Sequence, residues 1–176
     1  MCNNELNKYD LPDILTFKNG NNLKKISDWT KRRSEIIKIL KKEIYGFPPP
    51  PAEIDYKIEM RNKNAFAGKA IHSKVEIIVN TPRGEFSFPV NLIIPKKVVV
   101  PPLILHIAFR PNIPDKYFPV EEIIDNGFAT ASFCYQDVVP DTDDGFKNGL
   151  AGMYKKNKRR SDDWGKISLW AWSAQR

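Results

Sequence analysis

The stretch LILHIAFRPNIPDKYFPVEEIIDNGFATASFCY, residues 103–135, decides the fold class of this chain. It begins with LILHIAF (103–109), which is apolar almost throughout, as expected of a parallel strand covered on both faces. The segment FPVEEIIDNG predicts a helix that ends at Gly127, and FATASFCY (128–135) is another nearly continuous apolar strand. Strand, helix and strand in this order predict a βαβ unit with a right-handed crossover.

Three earlier segments predict a different kind of sheet. They are rich in β-branched and aromatic residues with partial alternation, and TPRG supplies a turn between the second and the third. The segments are IDYKIEM (54–60), AIHSKVEIIVN (70–80) and FSFPVNLIIP (86–95). They predict an antiparallel meander with one face towards water, so the sheet begins antiparallel and becomes parallel and buried.

A helix and a proline run precede the sheet. Residues Ser27 to Tyr45 have helical periodicity, with Ser27 or Asp28 as the N-terminal cap and Gly46 at the end. The predicted apolar side consists of Trp29, Arg33, Ile36, Ile37, Leu40 and Ile44. Pro48 to Pro51 then predict a stiff, extended connection, because proline has no amide hydrogen and restricts the residue before it.

The sequence closes on another predicted helix. It begins near Asp162 or Asp163, either of which can cap it. Its predicted apolar face consists of Trp164, Ile167, Trp170, Ala171 and Ala174. A helix that follows a parallel strand normally leads to the next parallel strand, and no such strand follows in these residues.

Composition excludes several classes of protein. The 176 residues suffice for one domain, 41% of them are hydrophobic, and no apolar run reaches the roughly 18 residues that a membrane span requires. MCNNELNKYD has no signal-peptide pattern, so we expect a cytoplasmic protein, with Cys2 and Cys134 as reduced thiols. The net charge of +7 lies largely on the first helix and in KKNKRR, which favours a solvated surface over a nucleic-acid site.

Two loops follow parallel strands and are therefore placed to bind a ligand. In RPNIPDKY, amides near Phe109 and Arg110 could form part of an oxyanion hole, although an ordinary loop shaped by Pro111 and Pro114 fits equally well. The second loop carries four acids, Asp137, Asp141, Asp143 and Asp144. They could bind a cation, but Asp also favours turns, and turns are the preferred interpretation.

No catalytic residue can be assigned from the motifs. His106 and His72 lie inside strands, where a histidine is usually a core residue, and no serine stands in a G-x-S-x-G elbow. The sequence has no phosphate-binding loop, no G-x-G-x-x-G and no Cys/His metal spacing, so we expect neither a cofactor nor a metal.

Several segments resemble one known family. LPDILTF (11–17), DWTKRR (28–33), YGFPPP (45–50) and DDWGKISLWAW (162–172) are similar to the N-terminal part of glucuronoyl esterases and related bacterial carbohydrate esterases. The likeness covers nearly all of the chain from Leu11. One departure lies at AFRPN (108–112), where Pro111 replaces a glycine and removes an amide hydrogen from the oxyanion loop of Phe109, Arg110 and Asn112.

The resemblance implies an α/β fold, namely the N-terminal part of an α/β-hydrolase sheet. Residues 1–51 would form a helical extension with the proline-rich connection, and residues 52–176 a partial hydrolase domain that ends before the nucleophile elbow. It also implies a serine esterase acting on glucuronoyl or acetyl esters of plant cell-wall polysaccharide. The catalytic Ser, acid and His of that family would all follow residue 176, so we expect this chain alone to lack activity.

Three hypotheses follow. The first is the inactive esterase relative, with LILHIAF left unpaired on one side and the tryptophan face lacking part of its partner. The second is a binding or interaction protein that reuses the half-fold, and one form of it is a homodimer that closes the open edge. The third and weakest is nucleic-acid binding by KKNKRR and the first helix. We expect no nucleic-acid partner and no membrane partner.

Overall fold

The computed structural model describes residues 12–176, so the predictions for Cys2 and for Leu11 of the first motif lie outside the described residues. Helix α1 spans Asp28–Leu40 and continues as a π-helical turn over Lys41–Tyr45. The strands are β1 Ile54–Ala65, β2 Ala70–Thr81, β3 Gly84–Pro95, β4 Leu103–Ala108 and β5 Ala129–Cys134. The remaining helices are α2 Val120–Asp125, α3 Tyr135–Val138, α4 Gly149–Tyr154 and α5 Lys166–Ser173.

The five strands form one mixed sheet in the order β1-β2-β3-β5-β4. Strands β1, β2 and β3 make the predicted antiparallel meander, and β3 also pairs antiparallel with β5. Strand β4 pairs parallel with β5, with Leu103 opposite Ala129 and Ala108 opposite Cys134. The predicted βαβ unit is therefore confirmed, and the fold is α/β.

The sheet is packed on both faces. Phe88 on β3 and Phe133 on β5 belong to the larger core with Leu150, Leu169 and the tryptophans of the C-terminal segment. Ile93 lies five residues after Phe88 and therefore points to the other face, where it packs with Ala70 and with Val120 and Ile124 of α2. Helices α3, α4 and α5 thus cover one face, and the short helix α2 covers part of the other.

Strand β4 is the open edge of the sheet. It pairs only with β5 among the described residues, and its side chains Leu103 and Leu105 are 54% and 43% exposed. The prediction that this strand is covered on both faces is wrong, because the exposed side chains of Leu103 and Leu105 leave one of its faces partly uncovered. Among residues 12–176 no strand pairs with its outer backbone edge, and the expectation that this edge is unpaired in the protein stays a prediction.

The terminal helix is packed differently from the prediction. Helix α5 begins at Lys166 after Gly165, while the Asp163 carboxylate accepts hydrogen bonds from Arg160 N and Lys156 Nζ instead of capping the helix. The buried residues include Leu169, Trp170, Trp172 and Ser173, whereas Ile167 is exposed. Trp164, Trp170 and Trp172 are 4%, 6% and 3% exposed, so the expectation that the tryptophan face lacks part of its partner is wrong for the tryptophans, whereas Ile167 and Ala171 of the predicted face are exposed.

Helix α1 also departs from the predicted pattern. Ser27 makes no capping bond, and the Asp28 carboxylate accepts from the amides of Lys24 and Lys25 in the preceding loop. The buried side chain of α1 is that of Arg32, because its guanidinium donates to the carbonyls of Ile14 and Asp13. Three residues of the predicted apolar side, Trp29, Leu40 and Ile44, are 38%, 37% and 66% exposed.

Candidate functional site

The carboxyl ends of β4 and β5 lie side by side, since the two strands are parallel and Ala108 is opposite Cys134. The residues that follow these ends, Phe109 and Tyr135, pack with ring centroids 5.0 Å apart. Both rings contact Trp170 of α5, at 5.8 Å and 5.0 Å. The Trp170 indole N–H donates to the carbonyl of Val139 at 2.9 Å, which fixes the third ring. We call these three residues the aromatic cluster.

Arg110, predicted for the oxyanion loop, is held by its own loop. Its guanidinium pairs with the carboxylate of Asp115 at 3.1 Å and lies 4.2 Å from the ring centroid of Tyr117. A hydrogen bond from the Tyr117 amide, with the Arg110 charge, holds the pKa of the buried Asp115 below its ordinary value. Asp115 therefore stays ionised and anchors the Arg110 side chain.

The other two predicted loop residues differ from Arg110. Phe109 is 63% exposed and belongs to the aromatic cluster, whereas Asn112 is exposed beyond Pro111. The structure thus brings Phe109 and Tyr135 together at the strand ends. It places Asn112 on the loop surface. A role for these residues in binding an oxyanion stays a prediction.

The histidines occupy different surroundings on the sheet. His72 Nε2 lies 2.8 Å from the Asn91 side-chain oxygen. His106 stacks on Phe118 at 4.0 Å between ring centroids, and its Nδ1 is buried without a hydrogen-bond partner in residues 12–176. Burial lowers the pKa of His106, and the nearby charge of Asp115 opposes this only partly. Partial burial against Phe118 therefore favours the neutral imidazole.

The acidic loop is organised as a turn around Asp144. Its carboxylate accepts hydrogen bonds from the amides of Phe146 and Asn148 and pairs with Lys166 at 3.2 Å. Burial raises the pKa of Asp144, but the two amides and the Lys166 charge outweigh it and lower the pKa to about 2. In residues 12–176, no three side chains of the His, Cys, Asp or Glu type converge as metal ligands would.

Two further observations concern the thiol of Cys134 and the character of the helices. Cys134 is a buried, free thiol, as predicted, and burial raises its pKa. In the part of the chain that the structure describes, no helix has the length and apolar character needed to span a membrane.

The arrangement of a meander and a parallel βαβ unit has counterparts among solved structures. A glucuronoyl esterase from Solibacter usitatus superposes with a TM-score of 0.81 and 26% sequence identity, over 95% of this chain. The resemblance is to glucuronoyl esterases. A glucuronoyl esterase of carbohydrate esterase family 15 from Teredinibacter turnerae T7901 matches with a TM-score of 0.80, 25% identity and 94% coverage of this chain.

A more distant glucuronoyl esterase shares the fold. The enzyme from Caldicellulosiruptor kristjansonii has a TM-score of 0.67 at 23% identity over 95% of this chain. The chain spans about half the length of these glucuronoyl esterases, at 52%, 45% and 43% of their chains in the order given. No protein-family profile and no curated protein matches the sequence.

Sequence reasoning found part of this site. It selected the loop after β4, and thereby Phe109 and Arg110, from the position of the loop at a strand end. It missed Tyr135, although that residue stands in the equivalent position after β5. It also missed the contact of Trp170 with both rings, because a contact between residues so distant in sequence leaves no local pattern.

Proposed function

We propose that this chain is the N-terminal half of a serine carbohydrate esterase of the glucuronoyl esterase type, and that by itself it does not hydrolyse esters. One observation carries the proposal: 95% of the chain superposes on the Solibacter usitatus enzyme, yet it accounts for only 52% of that enzyme. The substrate class would be glucuronoyl or acetyl esters of plant cell-wall polysaccharide.

The chemistry of ester hydrolysis supports the second part of the proposal. A serine esterase needs a nucleophile within hydrogen-bond reach of a base that is itself oriented by a third group. In residues 12–176, His72 is bonded to the Asn91 side chain, and His106 Nδ1 has no partner. Neither histidine is bonded to a serine among the described residues, which supports the proposal that this half does not activate a serine by itself.

The contribution of this half would be a wall of the active site. The carboxyl ends of β4 and β5 bring Phe109 and Tyr135 to one edge of the sheet, where ligands bind in open α/β folds. Phe109, Arg110 and Asn112 would then line the loop nearest to the reacting ester. Because Pro111 has no amide hydrogen, any oxyanion donor from this loop would have to come from a neighbouring residue.

Hydrolysis assays test the proposal directly. Residues 1–176 are incubated with 4-nitrophenyl acetate and with a benzyl ester of glucuronic acid, and we expect no turnover above that of heat-denatured protein. A matched variant is Ser132→Ala, because Ser132 lies opposite His106 in the β4–β5 register. Turnover that this variant abolishes would place a working nucleophile in this chain and would contradict the proposal.

A second candidate function is a binding or interaction protein that pairs with a copy of itself along β4. Strand β4 carries no charged residue, whereas the opposite edge strand, β1, is protected by Asp55, Lys57, Glu59, Arg61 and Lys63. Sedimentation velocity between about 5 and 200 µM separates the candidates, a range chosen around the micromolar affinities of weak dimers. A discrete dimer without esterase activity favours this second function, and a monomer over the whole range excludes it.

A further inference from the structure

A cavity of about 480 Å³ lies between the proline-rich connection and the loop before α5. The connection contributes Phe47 and Pro48 to Pro50, the end of α4 contributes Tyr154, and the loop contributes Lys156, Arg160, Asp162, Asp163 and Trp164. Its volume is in the range of small-molecule sites, about 300–1,000 Å³. It shares no residue with the aromatic cluster or with the loop after β4.

The two walls of this cavity are joined by backbone hydrogen bonds. The Phe47 amide donates to the Asp162 carbonyl at 2.9 Å, and the Gly165 amide donates to the Tyr45 carbonyl at 2.9 Å. Gly46, between them, has a φ of +78°, and a Cβ there would lie 2.3 Å from the Asp163 carbonyl oxygen. The walls are thus fixed by the chain itself, which lowers the entropy lost when a ligand binds.

The floor of the cavity is apolar and rigid. Phe47 is 41% exposed and presents a ring to the solvent, and the adjacent proline rings have no rotatable side chain. The buried Trp172 donates its indole N–H to the Pro49 carbonyl at 3.0 Å, and this hydrogen bond anchors the proline residues to α5. A flat apolar group can therefore pack on this floor without ordering a flexible side chain.

The rim of the cavity carries two positive and two negative side chains. Lys156 pairs with Asp163 at 3.0 Å, and Arg160 pairs with Asp162 at 2.8 Å. The cationic side chains are 62% and 73% exposed, whereas the carboxylates are 10% and 19% exposed. The rim therefore offers free N–H donors beside carboxylate acceptors and has no net charge of its own.

We propose that this cavity binds an uncharged oligosaccharide. The C–H face of a pyranose ring would pack on Phe47 and Pro48, while its hydroxyl groups would accept from Lys156 and Arg160 and donate to Asp162. A polyanion is disfavoured because the two carboxylates lie in the same rim, and a cation is disfavoured by Lys156 and Arg160. The site stands whether or not the chain hydrolyses an ester, since it is separate from the β4 and β5 ends.

The test is calorimetric titration of residues 1–176 with xylohexaose, an uncharged chain of six pyranoses. We expect saturable binding that changes less than about twofold between 50 and 500 mM NaCl, because no net charge is neutralised. Phe47→Ala should weaken it at least about tenfold, as expected for a central aromatic contact. Tyr56→Ala on β1, which removes a ring that is 65% exposed and outside the cavity, should leave it unchanged.

A second variant separates binding from folding. Arg160→Gln changes a side chain that is 73% exposed, so it should melt like the wild type and still bind xylohexaose several-fold more weakly. The proposal is overturned if the wild type shows no binding at 10 mM ligand, a limit of about 3 kcal/mol. It is equally overturned if both variants bind like the wild type, or if hexagalacturonate binds more tightly and loses that binding in salt.

Discussion

Replacing Trp172 with Phe tests how α5 is held against the proline-rich connection. The indole is 3% exposed, and its N–H donates to the carbonyls of Pro49 at 3.0 Å and Pro50 at 3.3 Å. Its ring also packs edge-on against Tyr154 at 5.7 Å. Phe keeps an aromatic ring at this position but has no N–H, so the change removes the hydrogen bonds and leaves the Pro49 carbonyl buried and unpaired.

The size of the effect follows from these contacts. An unpaired buried carbonyl costs about 1–3 kcal/mol, and the smaller ring adds about 1 kcal/mol for lost packing. The free energy of unfolding should therefore fall by about 2–4 kcal/mol, a large share of the 5–15 kcal/mol typical of a domain. For a chain of this length the melting temperature should drop by about 4–16 °C.

Thermal and urea unfolding, followed by circular dichroism, measure this change. Trp29→Phe is the matched control, because Trp29 is 38% exposed and its replacement should cost less than about 0.5 kcal/mol. The role assigned to the buried hydrogen bonds would be refuted if both variants lost the same free energy of unfolding. It would also be refuted if Trp172→Phe lost less than about 0.5 kcal/mol.

Three further changes have distinct expected results. Gly46→Ala should cost about 2–4 kcal/mol in urea unfolding, because it adds a clash with the opposing backbone to the strain of a positive φ, whereas Gly20→Ala adds only the strain. The folded-state pKa of Asp144 lies below its ordinary value, so its stabilising pairing with Lys166 is present above about pH 4 and is lost as the pH falls towards 2. Asp144→Asn should flatten the pH dependence of stability in that window. Leu105→Lys should reduce light scattering from concentrated protein, because it places a charge on the open strand.

A specific result would contradict each of these three predictions. Equal destabilisation at both glycines would mean that the Asp163 carbonyl can move away from a new Cβ. If the free energy of unfolding of the wild type does not change between pH 4 and pH 2.5, the stabilising role assigned to Asp144 is contradicted. Ile58→Lys on β1 is the control for Leu105→Lys, since Ile58 is 48% exposed beside strand charges, and equal effects of the two would argue against β4 as the associating edge.

Much of the fold could be predicted from the sequence because strands and helices have local periodicity. The meander from Ile54 to Pro95 and the βαβ unit follow from alternation and from two apolar runs. The exposure of β4 could not be read from its composition, since LILHIA has the pattern of an interior strand. Whether a neighbour is present depends on residues elsewhere in space, and no local pattern reports it.

The side-chain arrangement of the helices was harder to predict. Trp164 and Trp172 are both buried, although they lie on different parts of the C-terminal segment, because α5 is covered both by the sheet and by the proline-rich connection. Helix α1 buries Arg32 instead of its apolar stripe, since the guanidinium satisfies the carbonyls of Asp13 and Ile14. Such contacts between distant segments override the periodicity of one helix.

Amide hydrogen exchange, measured by NMR at low concentration, tests most directly whether the half-sheet ends at β4. Because the Ala129 amide donates to the Pro102 carbonyl, the parallel ladder directs the His106 amide towards β5 and those of Leu105 and Ile107 outward. We predict that His106 exchanges at least about 100-fold more slowly than Leu105 and Ile107. Equal, strong protection of all three amides in a monomer would show that β4 has a neighbour on both sides and that the sheet does not end at this strand.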